Sequence, residues 1–366
     1  GTRYEMLETL REFGRSRLDD MSNVALFTRH AAHFAEVADQ AARGLRTVDE
    51  PASIAWVDRS FADLRAAQRF AVETNDIDTA FGLITSIREY AMRAMRYEVF
   101  SWADAAASLG DDVVHPLRPT LTAVRAYGAF VRGEFERSLA LAREAADDQR
   151  SQAVERDGLV ERTLGNVLYI VGDVDDAIDQ IEELVPIARA SGNLSQLAHA
   201  YYMSSISSAS TGLVDRAVER YEMAFEVARE SGSPTDLASA WTAKGFAIRD
   251  DEGALDAFAA GDRLARSAGN RWMGAFACTE ASALRVCMGD VERGCEGLAE
   301  TVAAWSRAGE WAQQWLTLSR CFIALERIEQ YELAAELLGG IEMHTTLDAK
   351  PAMPTVGQAV LDTRDS

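Results

Sequence analysis

The chain has 366 residues, of which 37 are basic and 58 are acidic, so its formal charge is −21 at pH 7. This acidic balance argues against nucleic acid or an anionic membrane surface as a partner, because such partners need clustered cationic side chains. With 48% hydrophobic and 26% charged residues the composition is that of a folded protein, and its length predicts a repeat array or two to three domains.

Helical periodicity predominates from the N-terminus, where helices are predicted near residues 4–19, 25–43, 52–74 and 77–108, the last broken once. This first third follows no repeat, and we interpret residues 1–115 as an N-terminal helical adaptor. The chain lacks an initiator Met and opens on a helical pattern without a signal peptide, so we expect it to be one piece of a larger protein.

An internal repeat occupies residues 116–340. In each copy a small residue follows a glycine by five positions, in the pairs Gly133/Ser138, Gly172/Ala177, Gly212/Ala217 and Gly289/Gly294, with looser copies ending at Ala254 and Ala334. Successive small residues lie 39, 40, 37, 40 and 40 positions apart, and a second glycine series is spaced 40, 37 and 40, at Gly192, Gly232, Gly269 and Gly309. The spacing falls from 40 to 37 positions in both series within the same copy, between Ala217 and Ala254 and between Gly232 and Gly269. Chance would rarely produce this agreement, so the repeat is real.

Each copy predicts two amphipathic helices, A and B. The first glycine ends helix A and the second ends helix B, because a residue without a Cβ easily takes the left-handed conformation at a helix end. Such a hairpin cannot bury both of its faces alone, so neighbouring hairpins must stack. The sequence therefore predicts an all-α, right-handed helical-hairpin solenoid with repeats of about 40 residues, followed by a C-terminal tail at residues 341–366.

The sequence carries no common catalytic or cofactor-binding motif. The only two lysines, Lys244 and Lys350, cannot complete a phosphate-binding GxxxxGKS or GxxxxGKT loop, and no GxGxxG, HExxH, GxSxG or calcium-binding loop occurs. His30 and His33 share a helix face without a third ligand, so we interpret them as packing residues. The cysteines form no CxxC pair and are predicted to be free, buried thiols: Cys278, Cys287, Cys295 and Cys321. We expect no catalysis, no cofactor and no metal.

The repeats resemble a known family. Leu164-Gly165 in helix A, with Ala177 and Ile181 in helix B, is similar to the signature of tetratricopeptide repeats. The copies depart from that pattern in being about 40 residues long rather than 34, and in carrying Ser205 or Ser282 where a small Gly or Ala would stand. The resemblance implies a concave groove lined mainly by the A helices.

Register along the A helices predicts which side chains face this groove. The predicted set is rich in aromatic and arginine residues: Tyr127, Arg162, Asn166, Tyr169, His199, Tyr202, Arg249, Arg320 and Arg327. Arginine pairs with carboxylates or phosphates and tyrosine is a common interface residue, so the set suits a peptide or an anionic ligand. The alternative is that several of these residues form internal ion pairs or core contacts.

Four of the seven tryptophans are grouped near the end of the array, at Trp272, Trp305, Trp311 and Trp315. Core packing of the C-terminal repeats is the preferred interpretation, and an aromatic ligand pocket is the alternative.

A second resemblance covers both ends of the chain. The segment from Arg3 to Leu18, the sequence RHAAHF at 29–34, Trp56 and FADLRAAQRFAVE are similar to a region of multidomain actinobacterial regulators, as is the closing stretch ELLGGIEMHTTLDAKPAMPTVGQAVLDTR. In those proteins the region follows a STAND-type NTPase and its winged-helix module and leads into tetratricopeptide-like sensor repeats. Some members also carry a LuxR-type DNA-binding domain or a nucleotide cyclase domain.

This second resemblance implies a cytoplasmic, non-catalytic sensor and scaffold within a signalling or transcriptional regulator. Its expected partners are the upstream NTPase and winged-helix region, together with an inducer that is a small molecule, a peptide or a protein in the groove. We expect no direct binding to nucleic acid or membrane. A constitutive interaction and oligomerisation scaffold without a small ligand is the main alternative; an enzyme and a DNA-binding protein are weaker ones.

Overall fold

The computed structural model describes residues 13–14, 17, 20–109, 113–152, 156–248 and 251–344. Within these residues the secondary structure consists of sixteen α-helices and contains no strand. The N-terminal four are α1 (Asp20–Gly44), α2 (Glu50–Glu73), α3 (Ile77–Arg93) and α4 (Glu98–Ala106). The predicted helix near residues 4–19 lies almost entirely outside the described residues.

The repeat region forms twelve further helices in A–B pairs. The A helices are α5 (Arg118–Val131), α7 (Leu159–Val171), α9 (Leu194–Ser210), α11 (Pro234–Ala247), α13 (Arg271–Cys287) and α15 (Trp311–Arg327). The B helices are α6 (Phe135–Gln152), α8 (Val174–Ser191), α10 (Val214–Ser231), α12 (Asp251–Ala268), α14 (Val291–Ala308) and α16 (Tyr331–His344). The predicted helical-hairpin solenoid is confirmed.

The two glycine series occupy the helix ends as predicted. Gly172 follows α7 with a φ of 95°, and Gly192 follows α8 with a φ of 67°. Polar side chains begin the next A helices: the Asn193 carboxamide accepts the Gln196 amide at the start of α9, and the Asn270 carboxamide accepts the Met273 amide at the start of α13.

Small residues allow helices A and B of one hairpin to approach closely. Gly294 on α14 faces Ser282 and Val286 of α13 so closely that a Cβ there would meet the Ser282 carbonyl oxygen at 2.8 Å. On α9, the buried Ser205 hydroxyl donates to the Ala217 carbonyl of α10 at 2.8 Å. Serine therefore replaces the small residue of the repeat pattern at no cost in an unpaired polar group, because the partner helix supplies the acceptor.

The N-terminal helices pack against the far end of the repeat array, so that the superhelix closes on itself. The Tyr97 hydroxyl, just before α4, donates to the Glu310 carboxylate at the start of α15. In the same way, Glu50 at the start of α2 accepts the Ser233 hydroxyl at 2.8 Å and the Thr235 amide at 2.9 Å, at the start of α11. These contacts join residues 183 to 213 positions apart in the sequence.

Apolar packing continues from the N-terminal helices into the first repeat. Leu64 of α2 and Phe81 of α3 belong to the same buried cluster as Leu121 and Phe130 of α5, and Ala312 of α15 joins it. The limits that the sequence predicts, at 115/116 and 340/341, stay predictions. Most of the predicted tail, residues 345–366, lies outside the described part of the chain.

Two further expectations concern the surface. The four cysteines are free, but the prediction that they are buried is wrong, because Cys287 is exposed and the other three are half-buried. Across the described ranges, no helix combines the length and the apolar character needed to cross a membrane.

Candidate functional site

A cavity of about 100 Å³ lies inside the closed superhelix. It runs along the inner faces of α5, α7, α9, α11, α13 and α15, and α3 of the N-terminal region covers it on one side. We call it the central cavity. Its walls are formed by Met92, Arg93, Tyr127, Phe130, Arg162, Asn166, Val167, Tyr169, Ile170, Ser195, His199, Tyr202, Met203, Ile206, Thr235, Asp236, Ser239, Asn270, Trp272, Met273, Phe276 and Gln313.

Six of the nine residues that the sequence predicts for the groove line this one cavity: Tyr127, Arg162, Asn166, Tyr169, His199 and Tyr202. They come from three successive A helices, α5, α7 and α9, in the register that the repeat predicts. Their role in binding stays a prediction, and their convergence on one cavity is an observed feature of the fold.

The other three predicted residues do not join them. Arg320 is on α15 but is not part of the central cavity wall. Its guanidinium makes contacts of 2.9 and 3.1 Å to the Glu280 carboxylate of α13, and both side chains are buried. It forms an internal ion pair, which is the alternative that the sequence left open. Arg327 is exposed in the last turn of α15, and Arg249 lies outside the described residues.

The tryptophans divide between the two interpretations. Trp305 is fully buried in the core of the C-terminal repeats, and Trp272 packs edge-on against it at 6.1 Å between ring centroids. Trp272 also stacks on Phe276 at 5.4 Å, and both of these rings face the central cavity. Trp311 is 47% exposed and belongs to neither group.

Among the charged residues of the central cavity, Arg162 has the fewest hydrogen-bond and ion-pair partners. Among the described residues it has no carboxylate within ion-pair distance, and its one hydrogen bond is a long contact of 3.5 Å to the Gln196 side-chain oxygen. Burial lowers the pKa of this guanidinium, and the attraction of Glu89 offsets only part of that effect. Glu89 is itself engaged by Arg46 at 2.6 Å and Arg93 at 3.2 Å.

Two tyrosines and one histidine line the same cavity as this guanidinium. Burial raises the pKa of Tyr127 and of Tyr202 well above the usual range, so both remain neutral donors. Burial, followed by the repulsion of Arg162, holds the pKa of His199 well below its usual value. The neutral His199 ring lies 3.2 Å from the Asn166 side-chain oxygen through its Nε2 atom, which fixes the orientation of both side chains.

Another part of the cavity wall is a closed polar network. The Asp236 carboxylate accepts the Ser195 hydroxyl at 2.9 Å and the Ser231 hydroxyl at 2.8 Å. Burial raises the pKa of Asp236 to about 6, although Arg93 opposes the rise. Arg93 is in turn held by Glu50 at 2.8 Å, so this wall offers a ligand few unused polar groups.

A second, larger groove of about 910 Å³ lies on the outside, between the α3–α4 turn and α12 to α14. Four of its side chains are exposed arginines: Arg96, Arg266, Arg271 and Arg307. Because it is open to solvent and its cations are hydrated, it holds a small ligand less well than the central cavity does.

The sequence analysis did not predict several of the cavity residues, although the spacing of the repeat indicates them. A step of 40 and then 37 positions carries Ser195 onto Thr235 and Trp272, and the same steps carry His199 onto Ser239 and Phe276. Met92 and Arg93 have no such signal, because they belong to α3 and reach the cavity only through closure of the superhelix.

No three His, Cys, Asp or Glu side chains of the described ranges are grouped so that they could hold a metal ion. His30 lies 3.7 Å from Asp63, and its ring packs against Phe34 at 4.7 Å between centroids.

Comparisons with known proteins add the class of fold. No family model and no curated protein matches the chain. Among solved structures it is similar to a Rap protein complexed with competence and sporulation factor, with a TM-score of 0.57 and 13% sequence identity. The likeness covers 92% of this chain and 98% of that chain. The chain is therefore an all-α, tetratricopeptide-like helical-repeat solenoid.

Proposed function

We propose that this chain is the non-catalytic sensor region of a signalling or transcriptional regulator. It binds an inducer in the central cavity and transmits occupancy to a linked STAND-type NTPase. The observation that carries this proposal is the cavity itself: N-terminal helices and repeats that are far apart in the sequence enclose one space between them. A ligand there contacts both regions at once.

Linkage gives the mechanism. A ligand shifts an equilibrium only by its difference in affinity for two states, and here those states are the closed superhelix and a form in which the N-terminal helices part from α11 and α15. A difference of about 1–3 kcal/mol changes the output about 5- to 150-fold. The N-terminal helices lie between the repeats and the upstream region that the sequence resemblance implies, so they are suited to pass this change on.

Two further observations support the proposal. The Rap protein shares the fold and is complexed with competence and sporulation factor, so a superhelix of this kind can hold a regulatory factor. Both ends of the sequence resemble multidomain regulators in which such repeats follow an NTPase. A peptide or protein inducer therefore stands beside a small molecule as a candidate.

Native mass spectrometry of the purified chain, repeated under denaturing conditions, tests the proposal. We expect a bound mass that is lost on denaturation, and we expect ligand removal to speed backbone hydrogen exchange in α4 and in the first turns of α11 and α15. A bare dimer whose exchange pattern depends only on protein concentration would contradict the sensor function and support the oligomerisation scaffold.

A further inference from the structure

Three hydrogen-bond donors face the central cavity without an adequate protein partner. They are the guanidinium of Arg162 and the hydroxyls of Tyr127 and Tyr202. Within the described residues neither hydroxyl has a hydrogen-bond acceptor, and Arg162 has only the 3.5 Å contact to Gln196. Tyr127, Arg162 and Tyr202 all line the same cavity, on the neighbouring A helices α5, α7 and α9.

The other arginines of this region are different, because each is held by a carboxylate. Arg93 contacts Glu50 at 2.8 Å and Glu89 at 3.2 Å, and Arg88 contacts Asp157 at 3.1 Å. Arg162 is half-buried, and a cation partly withdrawn from water is costly unless it is paired and hydrogen-bonded. Arg162 is thus the position where an anion supplied from outside the chain would gain most.

Part of the cavity wall is apolar. Met203 and Ile206 of α9 and the stacked rings of Trp272 and Phe276 on α13 all face the same space. A volume of about 100 Å³ holds several water molecules, each of which needs about 10–15 Å³. The cavity is therefore suited to a small molecule, or to one end of a longer one, with one polar group and an apolar body.

Taking the proposed ligand-binding function as the starting point, we infer that the central cavity recognises a small organic monocarboxylate with an apolar body. Its carboxylate accepts hydrogen bonds from Arg162, Tyr127 and Tyr202, and its apolar body packs against Met203, Trp272 and Phe276. A single carboxylate matches a single unpaired guanidinium. A phosphate monoester carries a charge near −2 and would leave one negative charge without a partner in a desolvated site.

Calorimetric titration with sodium butyrate and with butyramide tests this inference, because both probes are small enough for the cavity, have nearly the same shape and differ in charge. We expect butyrate to bind about 10- to 100-fold more tightly than the amide. Arg162→Met should remove that preference, and the double variant Tyr127→Phe/Tyr202→Phe should reduce it. Arg65→Met is the matched control, since Arg65 is exposed and lies away from the cavity.

Each of the other outcomes overturns the inference in a recognisable way. Equal binding of acid and amide, or a preference that survives Arg162→Met, would show that the cavity does not select for charge and would leave the sensor function standing. Tighter binding of ethyl phosphate than of butyrate would show that the cavity prefers a phosphate ester to a carboxylate. No binding of any probe, with no bound mass in the purified chain, would count against the cavity and the sensor function together.

A second measurement is independent of any ligand. An arginine that binds a ligand but has no partner within the protein destabilises the ligand-free chain. Arg162→Met should therefore leave the melting temperature of the ligand-free chain unchanged or raise it. Arg320→Met, which strands the buried Glu280, should lower it. A loss in Arg162→Met as large as that in Arg320→Met would assign Arg162 a structural role and overturn the inference.

Discussion

The repeat array and the N-terminal helices use the same turn between helices but build it from different residues. In four hairpins of the array the turn before the B helix is left-handed at a glycine, as at Gly172, where the buried Ala177 follows five positions later; before α16 the left-handed residue is Glu329, with a φ of 61°. Between α2 and α3 the left-handed residue is Asn75, with a φ of 54°, and the buried Ala80 follows five positions later. The backbone pattern thus extends into a region where the glycine signal is absent, because asparagine tolerates this conformation.

The two regions also differ in what holds them in place. Successive hairpins of the array pack through small apolar residues, whereas closure of the superhelix depends on buried polar groups. Glu50 and Glu310 are fully buried and Arg93 is 3% exposed. Closure is therefore sensitive to charge and pH, as is stacking where the buried Arg320–Glu280 pair joins α13 to α15.

Removing the cation from the closure contact should have the largest effect. Arg93→Met leaves Glu50 and Glu89 buried with fewer partners, and breaking a buried pair on one side costs about 3–5 kcal/mol of the free energy of unfolding. Urea denaturation followed by circular dichroism measures this loss.

Arg65→Met is the matched control, since its pair with Glu98 is exposed and worth at most about 1 kcal/mol. Equal losses in the two variants would mean that the polar closure contact is no more important than a surface ion pair.

Protonation of Glu310 should make closure depend on pH. Burial raises the pKa of this carboxyl to about 8, and the hydrogen bond from Tyr97 opposes only part of the rise. The folded chain then holds a proton that the unfolded chain releases near pH 4.5, so stability falls as pH rises from about 4.5 to 8 and is constant above. Between pH 5 and pH 8 the change is on the order of 4 kcal/mol.

Glu310→Gln keeps a group that can hydrogen-bond Tyr97 and cannot titrate. The difference in unfolding free energy between wild type and this variant, measured by urea denaturation from pH 5 to 9, isolates Glu310 from Asp236, whose raised pKa is about 6. A difference that is constant across this range would contradict the assignment.

The repeat spacing predicted most of the array and could have predicted more. It located the helix ends and brought Arg162 and Tyr202 into one cavity, because those features recur every 37 to 40 positions. It also contained the reason why Arg320 belongs elsewhere: Glu280 lies 40 positions earlier, at the same place on the preceding A helix, and neighbouring copies of one position lie side by side.

No pattern in the sequence predicted that the superhelix closes on itself. Tyr97 and Glu310 meet because small rotations between hairpins add up over six repeats, and no local pattern gives that sum. The cavity residues contributed by α3 could not be predicted for the same reason.

Substitutions in the turns should have the smallest effects and give the sharpest test of the difference between the two regions. No atom lies within 4 Å of the position that a Cβ would occupy on Gly212, and its φ is 79°. Gly212→Ala therefore introduces backbone strain without a clash, and should cost about 1–2 kcal/mol of the free energy of unfolding by urea denaturation. Asn75→Gly, the matched change in the N-terminal turn, should alter the free energy of unfolding by less than about 1 kcal/mol. Glycine adopts the left-handed conformation of the folded turn more easily, but this gain is offset because glycine also raises the entropy of the unfolded chain. A loss in Asn75→Gly as large as that in Gly212→Ala would mean that the Asn75 side chain, and not only its backbone conformation, holds the N-terminal turn.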